Sequence, residues 1–166
     1  MANLEIRSAN PADVEQILDF VRRLAEYEKL GHEVVATPER IRRALFGGQR
    51  YAECILAEAD GQPAGFALFF HTFSTFLALP GIYLEDLFVL PERRGQGVGK
   101  ALLKRVAAIA AERGCGRLEW AVLDWNEPAI AFYRSLGSQP MGEWTVHRVT
   151  GEALRALATS AETATK

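Results

Sequence analysis

Apolar residues recur at spacings of three and four through Val14, Ile17, Leu18, Val21, Leu24 and Ala25, predicting one helical face that runs up to Leu30-Gly31. Asn10-Pro11-Ala12-Asp13 precedes that face, with Asn as cap and Pro at the first helical position. Thr37-Pro38-Glu39 starts a second, shorter helix, with Ile41 and Leu45 inward and Gly47-Gly48 at its end. The period then changes. Tyr51–Ala59 and Ala64–His71 read as strands joined by Asp60-Gly61, a favoured hairpin pair. A third strand-like run, Ile82–Val89, stops at Pro91. Helical spacing returns between Gly97 and Arg113, through Val98, Leu102, Val106, Ile109 and Ala110. Arg117–Leu123 predicts another strand, and Pro128–Leu136 a short helix closed by Gly137. Trp144–Val149 predicts a last strand, and Gly151–Ala158 a short terminal helix.

With a leading strand, the order is strand, two helices, hairpin, strand, helix, strand, helix, strand. A hairpin and a strand–helix–strand crossover in one chain imply a mixed sheet, hence an α/β fold of the α+β mixed-sheet kind. Residues 1–158 are expected to form a single domain, and the small, polar residues 159–166 a frayed tail.

Composition narrows the function. The 166 residues are 49% hydrophobic and 24% charged, the balance of a soluble globular domain. A net charge of −2 without a Lys/Arg cluster argues against a nucleic-acid partner. No apolar run approaches the ~20 residues of a membrane helix. The opening Met-Ala-Asn-Leu-Glu-Ile-Arg does not have the pattern of a secretory leader, so the cytoplasm is the expected compartment. Cys54 and Cys115 stand far apart, and His32, His71 and His147 are scattered. Neither a metal site nor a disulfide framework is expected.

Pro91-Glu92-Arg93-Arg94-Gly95-Gln96-Gly97-Val98-Gly99-Lys100 leaves a strand and enters a helix. Glycines lack the Cβ that keeps a ligand off the backbone, and a helix start offers unpaired N–H groups. With Arg94 and Lys100 this predicts a site for phosphate or pyrophosphate. The spacing fits neither familiar nucleotide motif. A dinucleotide fingerprint fails because Lys100 or Leu102 stands where its third glycine belongs, and a P-loop fails because Arg94 and Ala101 occupy two of its required positions.

Arg94-x-x-Gly97-x-Gly99 resembles the signature of the GNAT superfamily of acyl-CoA-dependent N-acetyltransferases. The later segments Asp124-Trp125-Asn126-Glu127-Pro128-Ala129, Ala131-Phe132-Tyr133 and Gly137 match in order. Within the superfamily the chain looks most like the diamine (spermidine/spermine) and thialysine N-acetyltransferases. Ile6-Arg7, Leu24-Ala25, Tyr27-Glu28, Tyr83-Leu84-Glu85-Asp86, Trp125–Pro128 and Trp144 carry that closer likeness, which extends to about Ala158.

The resemblance implies a mostly antiparallel central sheet with flanking helices, in which the strand Ile82–Val89 splays from a parallel neighbour, Arg117–Leu123. The pantetheine arm of acetyl-CoA would pair with the backbone of Leu87, Phe88 and Val89. Its pyrophosphate would lie on the N–H groups of Gly95, Gln96, Gly97, Val98, Gly99 and Lys100, near Arg94. Asn126, Glu127, Pro128 and Ala129 would line the other side of the arm. Such relatives are commonly homodimers.

Acetyl transfer needs a neutral amine, a polarised thioester and a proton for the departing thiolate. Tyr133 is the candidate donor, since a phenol keeps its proton at pH 7; a tyrosine packed under the sheet is the alternative. Glu85 and Asp86 interrupt an apolar strand, and two-residue alternation sends them to opposite faces. A carboxylate there needs a partner or water, for instance an ion pair with Arg117. By the resemblance, Glu85 faces the amine and relays its proton through water. Tyr27 and Glu28, Glu119 and Trp120, and Glu143 are further candidates for the amine-binding cleft. Several carboxylates would attract a polycationic or ω-amino substrate. Cys54 and Cys115 match no catalytic position, so direct attack in a ternary complex is expected. The competing readings are a protein or peptide N-acetyltransferase, a non-catalytic acyl-CoA sensor, and a nucleotide-binding protein.

Overall fold

A computed structural model describes residues 3–163, with the side chains of 160–163 excepted. These residues divide into two compact units, one up to Leu123 and one from Asp124 onward.

The first unit contains β1 (Leu4–Ser8), α1 (Val14–Tyr27), α2 (Pro38–Phe46), β2 (Glu53–Ala59), β3 (Gln62–Ser74), β4 (Leu79–Val89), α3 (Val98–Glu112) and β5 (Leu118–Trp120). The strands lie in the order β1-β2-β3-β4-β5. All neighbours are antiparallel except β4 and β5, which are parallel. The expected mixed sheet is therefore present.

Local chemistry explains the first elements. The Asn10 side chain accepts from the Ala12 N–H at 2.9 Å, and Asp13 accepts from the Asn10 N–H at 2.8 Å, closing a reciprocal cap. Asp13 also receives two bonds of 2.8 Å from Arg7, whose Nε donates to Glu58 at 2.8 Å. That guanidinium ties β1, the α1 entry and β2 together, and holds the Asp13 carboxyl below the usual carboxylate range. Asp60 and Gly61 both adopt positive φ (54° and 71°), as the β2–β3 hairpin requires.

One face of the sheet presents Cys54, Leu56, Phe66 and Phe88 to Ile17, Phe20 and Leu45 of the first two helices. Phe20 stacks on Phe66 with ring centroids 5.4 Å apart. On α3, Val98, Leu102, Val106 and Ile109 are buried, as their spacing predicts.

The strand limits differ from those read in the sequence. β3 and β4 extend further toward their shared turn, because each supplies the other's ladder from Ser74–Leu79 inward. β5 is only Leu118–Trp120, where the pattern suggested Arg117–Leu123.

The second unit contains α4 (Glu127–Ser135) and α5 (Gly151–Thr163). Two expectations are corrected here. Trp144–Val149 is not a strand: it is irregular, with Trp144 74% and Val146 86% exposed. Its alternation suits a strand, but a strand needs a ladder partner and a buried face, and the segment has neither. The terminal helix also continues past Ala158 to Thr163, through a stretch whose Ala161 and Glu162 favour helix over coil. The last three residues of the expected tail, 164–166, lie outside the described residues.

Candidate active site

Strand β4 changes character halfway along. Its ladder with β3 runs from Leu79 to Val89, whereas its ladder with β5 covers only Ile82–Leu84. From Glu85 to Val89 no described strand lies on the β5 side, which is the splay that the resemblance implied.

Glu85 is also where the β3 register slips. Phe69 faces Leu84 and Leu68 faces Asp86, so Glu85 is an extra residue with no partner. Leu68 and Phe70 lie on one face of β3, and their partners Asp86 and Tyr83 therefore share that face. Strict alternation would have separated them. The bulge resets the phase, so the expected opposite placement of Glu85 and Asp86 does not follow from counting residues. Glu85 itself is exposed, and its charge is felt by both Tyr83 and Asp86.

Asp86 is the half-buried carboxyl of this strand. Burial, reinforced by the charges of Glu85 and Glu28, pushes it up to about 7. Arg117 does not neutralise it. Instead Arg117 Nε lies 2.8 Å from Glu119 Oε2. Glu119 stands opposite Tyr83 and Trp120 opposite Leu84, at the edge of the splay. Burial, then the charges of Glu85 and Glu119, raise the Tyr83 phenol. Glu28, the C-cap of α1, is raised by burial alone. The charges of Glu28 and Glu85 thus act on Asp86, and those of Glu85 and Glu119 on Tyr83, around the β4 bulge. Tyr83, absent from the sequence candidates, lies among them; its place two residues before Glu85 on an apolar strand concealed it.

Beyond Val89, a 3-10 turn at Pro91–Arg93 leads into the glycine loop. Gly95 and Gly97 take φ of 74° and 84°, and a Cβ on either would point into open space. Side chains there would be strained and would fill the cradle. Gly97 caps α3, and the first bond of that helix runs from the Ala101 N–H to the Gly97 carbonyl at 2.9 Å. The N–H groups of Val98, Gly99 and Lys100 precede that bond at the positive end of the helix dipole. Buried Val98 anchors the turn, and the Gln96 amide donates to the Glu92 carbonyl at 3.1 Å across the loop. Lys100 is exposed.

Arg94 does something its motif position does not show. Its Nε donates to the Val89 carbonyl at 3.1 Å, and its guanidinium lies over the Tyr27 ring, 4.6 Å from the centroid. Phe88 is the next ring, at 5.8 Å. Leu87 is half-buried, and Phe88 packs into the core.

In the second unit, buried Asn126 caps α4 by accepting from the Ala129 N–H at 3.4 Å. Glu127 and Pro128 form the first helical turn, where proline sacrifices no bond. Tyr133 lies half-buried on α4, its ring 5.3 Å from that of Phe132. Glu143 is exposed. Cys54 is a buried thiol pushed above its usual range by desolvation, in keeping with a core role. Among the described residues no group of three or more His, Cys, Asp or Glu side chains is arranged to hold a metal, and no helix is long and apolar enough to cross a membrane.

Residues 17–137 match the acetyltransferase (GNAT) family. Over 169 aligned residues the chain is 42% identical to thialysine N-epsilon-acetyltransferase of Bos taurus, covering 95% of this chain and 99% of that protein. It is 33% identical to an L-ornithine N5-acetyltransferase of Arabidopsis thaliana, covering 92% of this chain and 86% of that one. Among solved structures, an integron cassette protein from V. cholerae matches with a TM-score of 0.78 at 28% identity, covering 93% of this chain and 97% of the other. The chain belongs to the GNAT acetyltransferase family and is an N-acetyltransferase.

Proposed function

We propose that the protein transfers the acetyl group of acetyl-CoA to a primary amine of a small ω-amino acid of the thialysine type, a diamine or a polyamine. The observation that carries this reading is the meeting of two features at one end of β4: a strand edge open from Glu85 to Val89 and a glycine turn at the start of α3. An extended pantetheine arm suits the open edge as an added strand. The diphosphate suits the N–H groups of Gly95–Lys100, where Gly95 and Gly97 leave the approach clear. Acetyl-CoA supplies an activated thioester carbonyl.

The chain's own residues do the rest. Glu28, Glu85, Asp86 and Glu119 attract the cationic amine and hold its far end. Glu85, exposed at the bulge, takes the proton that the amine must lose, through water. The amine nitrogen then bonds to the acyl carbon as the carbon–sulfur bond breaks. Tyr133 gives its phenolic proton to the sulfur and is reprotonated, through water, by the proton that the nitrogen sheds as it becomes an amide. Attack is direct, within a ternary complex, since Cys54 is buried and weakly acidic. Asn126, Glu127, Pro128 and Ala129 line the arm, Trp120, Tyr27 and Glu143 border the amine, and the assembly is a cytoplasmic homodimer. The matches to thialysine and ornithine acetyltransferases support an ω-amino group as the acceptor.

The test is thiol release from acetyl-CoA with thialysine, ornithine, lysine, putrescine, spermidine and a short lysine peptide. Saturable turnover with a small amine supports the reading; preference for the peptide replaces it with a peptide acetyltransferase, and acetyl-CoA binding without turnover replaces it with a sensor. Tyr133→Phe is expected to lower kcat about 100-fold with acetyl-CoA affinity unchanged. Equal turnover would remove Tyr133 from the mechanism.

A further inference from the structure

Arg94 joins two of the three elements that carry the acidic groups. Its Nε donates to the Val89 carbonyl at the end of β4, while its guanidinium carbon lies over the Tyr27 ring at the end of α1, 4.6 Å from the centroid. Glu85 and Asp86 belong to β4, and Glu28 directly follows Tyr27. The end of α1 is a left-handed cap. Lys29 takes a left-handed φ of 63°, and the turn closes with the Leu30 N–H on the Ala25 carbonyl at 2.7 Å. A non-glycine residue there costs about 1 kcal/mol, which the turn's own bonds, this one and the Lys29 N–H on the Glu26 carbonyl at 3.1 Å, help to offset. Tyr27 is 37% exposed, so core packing alone does not secure it. The guanidinium over its ring adds a hold on it, and a guanidinium can donate a hydrogen bond and lie over a ring at once.

We propose that Arg94 is a positioning residue for the amine: by stacking on Tyr27 while gripping Val89, it sets the spacing between Glu28 and the Glu85–Asp86 pair, and so the length of amine the site accepts. This role rests on the function proposed above and is separate from any contact with the diphosphate. A positive charge suffices to attract phosphate, and lysine supplies one. Lysine supplies neither the Nε bond nor the flat stack.

Arg94→Lys separates the two roles. The expected result is an amine KM raised about fivefold and a similar loss of discrimination between ornithine and lysine, which differ by one methylene, with the Kd of acetyl-CoA changed less than about twofold. Tyr27→Leu should reproduce both changes, and the double variant should be no worse than either single one, because both remove the same contact. A raised acetyl-CoA Kd with an unchanged amine KM would overturn the proposal, as would additive losses in the double variant. Hydrogen exchange provides an arm independent of turnover. The amides of Lys29 and Leu30 should exchange faster in Arg94→Lys than in the parent protein, and unchanged exchange would also overturn it. If the parent acetylates no amine in the panel yet exchange accelerates in the variant, the functional reading fails while the brace stands.

Discussion

The two halves of β4 belong to one strand but live in different surroundings. Over Ile82–Leu84 it is flanked on both sides, antiparallel to β3 and parallel to β5, and Ile82 and Leu84 are fully buried. Over Glu85–Val89, β3 is the only described strand paired with it, and the half opens with a bulge bearing two acidic residues. The first half is a core strand and needs only apolar bulk. The second half combines an open backbone edge, a carboxylate re-aimed by the bulge and a glycine turn a few residues on. The β5 ladder ends where the β3 register slips, which leaves the second half of β4 with one edge unpaired to any described strand.

Three substitutions test that contrast. Gly81 lies just before the doubly paired half, where a Cβ would stand 2.7 Å from Thr72 Oγ1 and 3.4 Å from the Arg117 carbonyl. Gly81→Val should cost about 3 kcal/mol of stability by forcing β3 and the approach to β5 apart, measured by urea unfolding. A stable variant would mean that this half yields as readily as the other. Gly97→Val acts on the open half. It is expected to weaken acetyl-CoA binding about 100-fold, roughly 2.7 kcal/mol, because a branched side chain at φ 84° is strained and fills the cradle. Isothermal titration reads the change, and unaltered affinity would move the diphosphate elsewhere.

The smallest effect concerns Asp86. Its folded pKa of about 7 lies above the ordinary carboxyl value, so between about pH 4 and 7 the folded state binds the extra proton and stability falls as pH rises. Linkage across that range is worth at most about 4 kcal/mol, and the partial solvent access of Asp86 screens roughly half of it, so Asp86→Asn should add about 2 kcal/mol at pH 8 and almost nothing at pH 4. Equal stabilisation at both values would show that charge burial is not what Asp86 contributes.

Much of this was legible along the chain. The Asn10 and Thr37 caps, the Asp60-Gly61 turn and the glycines before α3 all act through backbone geometry within a few residues, and each appears where its local chemistry requires. The amphipathic faces of α1 and α3 were equally readable, since a periodic apolar stripe has only one way to face a sheet. Trp144–Val149 failed for the converse reason. Its alternation states a preference for strand, but whether a strand forms depends on a neighbour that the segment cannot name.

The site divides in the same way. Composition and spacing by themselves determined that a glycine turn opens a helix after an apolar strand, that carboxylates interrupt that strand, and that a tyrosine follows the Asn126-Glu127-Pro128 start of a later helix. Only the tertiary structure decided that Glu85 is a bulge, that Asp86 titrates near neutrality beside Glu28 and Glu85, that Arg117 serves Glu119, and that Arg94 turns back onto Tyr27. The physical reason is range. Caps, turns and helix faces are settled by torsions and hydrogen bonds between near neighbours in sequence. Register, burial of a charge and stacking of a cation on a ring arise between segments tens of residues apart, and exist only once the sheet has assembled.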